Sequence, residues 1–137
     1  MLRRLLNRLR SDSGQAITEF ALILPLLMVL ILGIVQFGIV FNNYITLTDA
    51  TRAGARQAVV ARFAHDNGAS AKQVVLDSAQ GLDQTVLSPT VTVTADPDWD
   101  TSGGTVTVSA SYPYSINLLG WTVTAGNLTS TTKERLE

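Results

Sequence analysis

The run Phe20-Ala-Leu-Ile-Leu-Pro-Leu-Leu-Met-Val-Leu-Ile-Leu-Gly-Ile-Val-Gln-Phe-Gly-Ile-Val-Phe41 decides how this chain must be built. Its 22 residues carry no charge and are interrupted only by Pro25, Gly33, Gln36 and Gly38. As an α-helix the run spans roughly 33 Å, enough to cross a hydrocarbon core of about 30 Å. The uncharged stretch continues to Thr48. A helix that is apolar all round can also be the core of a soluble protein. The rest of a 137-residue chain has too few residues to wrap it on every side. A cleaved secretory signal peptide has a shorter apolar region, about 7–15 residues, followed closely by a small-residue cleavage site. Here the first cluster of small residues after the run, Ala53-Gly54-Ala55, lies among arginines. The reading is a transmembrane helix over about 20–41.

The flanks of the run are asymmetric. Residues 1–14 hold Arg3, Arg4, Arg8 and Arg10 against Asp12 alone, and the first basic residue beyond the run is Arg52. The positive-inside bias then places the N-terminus in the cytoplasm and the bulk of the chain outside. The whole chain has a net charge of −1, with 46% hydrophobic and 15% charged residues. That is too apolar for a disordered chain and lacks the basic stripe of a nucleic-acid binder. With no cysteine, a disulfide framework, a thiolate metal site and a cysteine nucleophile are excluded. A single histidine, His65, excludes a multi-histidine metal site. His65 has no nucleophile-bearing motif near it, and no Gly-rich phosphate loop is present, so no enzyme, cofactor or metal is expected. Asp96, Asp98 and Asp100 have the spacing of a calcium loop, but its glycine and glutamate positions hold Thr101 and Thr107. A solvated hairpin tip is the better reading.

The junction before the span departs from a plain anchor. It reads Gly14-Gln-Ala-Ile-Thr-Glu19-Phe20. A carboxylate at the lip of a hydrocarbon phase is costly unless solvated or paired. The bland account is a headgroup-level glutamate in the first helical turn, where the helix dipole favours it. The spacing from Gly14 to Glu19, after an arginine-rich leader and ahead of an apolar helix, resembles the processing site of type IV prepilins. The resemblance implies that a prepilin peptidase cuts between Gly14 and Gln15. Gln15 then becomes the mature N-terminus, a residue that many pilins N-methylate. It also implies that Glu19 pairs with the N-terminal amine of a neighbouring subunit and so sets assembly register. The chemistry is consistent with this: Gly14 lets backbone enter a tight cleft, and a charge pair in low dielectric is strongly attractive.

The likeness extends further. Gly14-Gln-Ala-Ile-Thr-Glu-Phe-Ala-Leu-Ile-Leu-Pro-Leu-Leu27, then Gly33 and Gly38, then Ala50-Thr-Arg-Ala-Gly-Ala-Arg56 resemble the TadE-like family over residues 14–56. These are pseudopilins of tight-adherence (Flp, type IVc) pilus systems. The resemblance implies a minor pseudopilin of the bacterial inner membrane, of TadE or TadF type, acting in pilus assembly or adhesion. The chain is too short for the von Willebrand-type domain of TadG-like members, and longer than the major Flp pilins. Implied partners are the prepilin peptidase, other pseudopilins and Flp pilin subunits, the tight-adherence inner-membrane platform and the lipid bilayer. The competing reading is an unprocessed single-pass anchor carrying a small extracytoplasmic binding module.

Pro25 is either a bend that shapes subunit packing or a tolerated kink, since membrane helices accept proline. Gly33 and Gly38, five apart, do not form a GxxxG face. Beyond Asn43 the helical period continues to about residue 66. Ala50, Gly54 and Ala58 there form a small-residue ridge, for a neighbouring subunit or for the chain's own outer domain. Asn67-Gly68 is read as the end of this helix. A short second helix follows from Ala69 to about Gln80, with Val74, Val75 and Ala79 inward and Gly81 beyond it. The period then becomes two. Val91, Val93 and Ala95 make one strand and Val106, Val108, Ala110 and Tyr112 another. Tyr112-Pro113-Tyr114 is expected to break the second strand, Ile116–Leu119 and Trp121 to form an apolar bulge, and Asn127 to about Lys133 to form a last edge strand. The expected fold class is α+β. It comprises a leader (1–14), a long transmembrane helix with its extension (15–66), and an outer domain (67–137). That domain holds a short helix and a three- to four-stranded antiparallel sheet.

Overall fold

A computed structural model describes residues 12–61, 66–99 and 102–136. The four leader arginines, His65 and Asp100 lie outside the described residues. Helix α1, Asp12–Val60, is continuous for 49 residues and contains Pro25. At 1.5 Å per residue it is about 74 Å long. It passes through two environments. All side chains from Gly14 to Met28 are exposed, and nothing in its most apolar window is buried. Helix is the form such a segment must take in lipid, because every backbone donor and acceptor is then satisfied within the segment. Toward its C-terminal end the same helix becomes one-sided. Leu47, Ala50, Thr51, Gly54, Ala55 and Ala58 are buried at three- and four-residue steps, while Asp49, Arg52 and Arg56 face water.

α1 is described as far as Val60, and residues 62–65, which lead to its expected end near residue 66, lie outside the described residues. Asn67-Gly68 stands immediately before the next helix. Both residues are left-handed, with φ 51° and 81°, and they open the next helix. The Asp66 carboxylate accepts from the Gly68 and Ser70 N–H groups, each at 2.9 Å. It thereby satisfies donors that a helix start leaves without partners. Helix α2, Ala69–Ser78, buries Ala71 and Val75, with Ala79 just beyond it. Val74, expected inward, is only half-buried. A one-turn helix α3, Gln84–Leu87, starts on Asp83, whose side chain accepts from the Thr85 N–H. It runs into a 3-10 turn, Ser88–Thr90, and buries Leu87.

Three antiparallel strands follow: β1 (Thr92–Asp96), β2 (Thr105–Leu118) and β3 (Trp121–Arg135), in the order β1-β2-β3. The alternation reads as expected, with Val106, Val108 and Ala110 buried and Thr105, Thr107 and Ser109 toward the other face. Tyr112-Pro113-Tyr114 does not break β2, which continues with Pro113 opposite Asn127. The reason is positional. β1 pairs β2 only as far as Ser109, so Pro113 lies on an open edge where a missing N–H matters least. Just before it, the Thr90 hydroxyl donates to Ser111 O at 2.6 Å and accepts from Ser111 N at 3.2 Å, standing in for the absent strand. Nor are Ile116–Leu119 and Trp121 an isolated bulge. Ile116–Leu118 and Trp121 are strand ends flanking the two-residue turn Leu119-Gly120, and the last strand is longer than expected at 15 residues.

The sheet and α2 close on the C-terminal half of α1. Leu47, Val75, Leu87, Val106, Val108 and Leu136 are fully buried between them. Each such side chain contributes about 1.5–3 kcal/mol relative to exposure. The Leu136 backbone pairs with Gly103 and Gly104 at 2.7 and 2.8 Å, locking the end of β3 to the β1–β2 loop.

Candidate functional site

The sequence places its candidate site at the start of α1, where the structure sets Gln15 and Glu19 one turn apart on one face. Gly14, Gln15 and Glu19 are all exposed. α1 is described from Asp12, and both Gly14 and Gln15 are helical. Gln15 Nε2 donates to Glu19 Oε1 at 3.1 Å, and Thr18 Oγ1 donates to Gln15 O at 2.7 Å. Residues four apart on a helix are surface neighbours.

Pro25 is exposed in mid-span, and α1 runs through it unbroken. A Cβ added at Gly33 or Gly38 would meet nothing within 4 Å, so both leave open surface on the span. The ridge is different. Ala50 and Ala58 are 0% and 1% exposed, and a Cβ on Gly54 would collide with Val75 Cγ2 and come within 3.1 Å of Ala71 O. Ala50, Gly54 and Ala58 pack α1 against the chain's own outer domain. The surface left on this part of α1 carries Asp49 and Arg52, paired at 3.4 Å and well solvated.

Sequence reasoning missed Thr51. It is fully buried, and its hydroxyl donates to Thr48 O at 2.9 Å while meeting Ser130 Oγ at 2.8 Å and Thr132 Oγ1 at 3.2 Å. This ties α1 to β3. The only signal was a hydroxyl residue falling on the small-residue stripe. Asp83 and Asp66 are the outer-domain carboxylates held below the ordinary range. The Thr85 hydroxyl and N–H lower Asp83. Ser70, through its side chain and then its N–H, lowers Asp66 together with the Gly68 N–H. Both act as helix-start acceptors. Asp96 ends β1 and Asp98 lies in the loop beyond, with Asp100 outside the described residues. Among the described residues no group of three His, Cys, Asp or Glu could hold a metal.

Comparison with known proteins adds one finding. Residues 14–56 match the family described as TadE-like protein. The matched segment starts at Gly14, takes in Glu19 and the whole apolar run, and ends on the ridge. No curated protein and no solved structure matches the chain.

Proposed function

We propose that this chain, whose first third is TadE-like, is a minor pseudopilin of a tight-adherence pilus. A prepilin peptidase cuts it between Gly14 and Gln15, and it then takes part in pilus assembly from the cytoplasmic membrane. α1 is a candidate membrane anchor, and the arginine-rich leader orients it with the outer domain outside. The observation that carries this reading is the unbroken family match from the cleavage junction through the anchor to Arg56. The exposure of Gly14, Gln15 and Glu19, with the Gln15 side chain reaching Glu19 one turn on, supports it. The mechanism is assembly by helix packing. The new Gln15 amine of one subunit pairs with the Glu19 carboxylate of the next, and Phe20–Phe41 supplies apolar helix–helix contact around Pro25. A carboxylate left without a partner in hydrocarbon is expelled, so only registered neighbours are retained.

Intact mass of protein from cells with a prepilin peptidase tests the first step. The expected mature chain begins at Gln15, and Gly14→Leu abolishes the cut. Protein still starting at Met1 in such cells would leave an unprocessed anchor with a binding module instead. For the second step, Glu19→Ala keeps processing and loses piliation. Normal piliation in that variant would remove the registry role.

A further inference from the structure

The far end of the β2–β3 hairpin is apolar, uncovered and built to be so. Leu119, Trp121 and Val123 are 73%, 83% and 62% exposed. The turn itself is Leu119-Gly120, with φ 52° and 86°, the pair of positive values that a two-residue hairpin loop needs. Gly120 adopts this freely, whereas a leucine there is unusual and places a bulky side chain at the outermost point. Next to it the register shifts. Ile116 faces Thr124 but Asn117 faces Thr122, so Val123 has no opposite residue. Thr122 Oγ1 pins the irregularity by donating to Asn117 Oδ1 at 2.7 Å. Cross-strand partners share a face, so the shift turns Trp121 onto the face of Leu118, Ile116 and Tyr114. From Gly103 through Thr132 the chain has no charged residue. No charged side chain on the hairpin opposes its approach to a bilayer interface.

Its height follows from contacts along α1. Glu134 and Arg135 line one groove with Arg56, Val59 and Val60. Val108 lies 3.7 Å from a Cβ built on Gly54, and Thr51 meets Thr132 and Ser130. Followed from Arg135 back to Ser130, β3 therefore runs along α1 from Val59 toward Thr51. Five strand residues, about 17 Å, cover about 12 Å of helix. At the same slant the nine further residues to Trp121 cover about 21 Å, or about fourteen helix residues. That brings the turn to the level of Phe37, just inside Phe41 where the apolar run ends.

We infer that the Leu119–Val123 hairpin tip is a second membrane contact, inserting Trp121 into the outer-leaflet interface of the bilayer that α1 spans. Tryptophan favours that interface, its ring in the acyl boundary and its N–H toward water. Two points of attachment fix how the outer domain leans on the membrane, which one helix alone does not. The inference rests on α1 being the anchor of the proposed function.

The test uses full-length protein carrying Trp99→Phe, so that Trp121 is the sole indole, reconstituted in phosphatidylcholine vesicles with brominated acyl chains. The expected result is blue-shifted emission and a loss of about half the Trp121 signal, greater for bromines near the headgroup than near the chain end. Dilution of protein in lipid leaves it unchanged. The reciprocal Trp121→Phe, at an exposed position, gives the same answer by difference if Trp99→Phe does not fold. Emission quenched by aqueous iodide and untouched by bromines would overturn the inference. So would a signal that vanishes on dilution, which would assign the tip to a neighbouring copy. Flotation with the vesicles separates the two readings. Protein that fails to float refutes the anchor and the contact together, whereas floating protein with water-exposed Trp121 refutes the contact alone.

Discussion

Gly54→Ala is the substitution most informative about how α1 and the outer domain are joined. In an isolated helix it stabilises by about 0.5–1 kcal/mol, because glycine loses more backbone freedom. Here the added methyl meets Val75 Cγ2, a fully buried side chain with a stiff χ1, and Ala71 O at 3.1 Å, which is backbone of α2. Overpacking of this kind costs about 1–3 kcal/mol. The net expectation is a loss of about 0.5–2 kcal/mol, or several degrees in Tm for a domain of this size. Val75→Ala alone removes two buried carbons and leaves a cavity, for about 2–3 kcal/mol. The two should not add. In the double variant the methyl added at position 54 occupies space vacated by Val75, so the pair should lose about 1–2 kcal/mol less than the sum. Thermal unfolding of full-length protein in detergent, followed by near-UV circular dichroism, reads all four species. A Gly54→Ala protein more stable than the wild type, or strict additivity, would refute the close approach of α1 and α2.

Thr51→Val keeps the shape but leaves the Ser130 hydroxyl, 9% exposed, without its 2.8 Å partner, and should cost about 1–3 kcal/mol in the same assay. Thr51→Val with Ser130→Ala should recover part of that loss. The lowered Asp66 and Asp83 groups fix the sign of the acid response. They stabilise the fold above the ordinary value of 3.8, and that contribution is lost as pH falls through their lower folded values. Tm should therefore hold down to about pH 5 and decline below about pH 4. Asp83→Asn, which keeps the cap but not the charge, should flatten part of the decline, measured as Tm against pH.

Much of this protein was legible because its strongest constraints are local. An uncharged run from Phe20 to Thr48 leaves the backbone no choice but a helix that satisfies itself, whatever surrounds it. The candidate site is equally local, since Gly14, Gln15 and Glu19 fall within one and a half turns and Gln15 needs no distant contact to reach Glu19. Period-two patterning gave Val106, Val108 and Ala110 an inward face for the same reason. The misreadings all involve partners that a local pattern does not name. Pro113 reads as a strand breaker until β1 is known to stop pairing at Ser109, which turns its position into an open edge. Asn67-Gly68 shows its part in starting the next helix only once Asp66 is seen gathering the N–H groups of the following turn.

Sequence alone settled that α1 is long, apolar and continuous through the ridge, because helical hydrogen bonds close within four residues and side-chain period follows from them. Only the tertiary structure decided what the ridge touches and where the hairpin points. Ala50, Gly54 and Ala58 would suit a neighbouring subunit as well as they suit α2 and the sheet, since small residues permit close approach by any backbone. The one-residue register shift at Asn117 and the slant of β3 along α1 are products of packing between segments some 80 positions apart, joined by Thr51 and Ser130. No local pattern encodes them, and they alone set the height and face of Trp121.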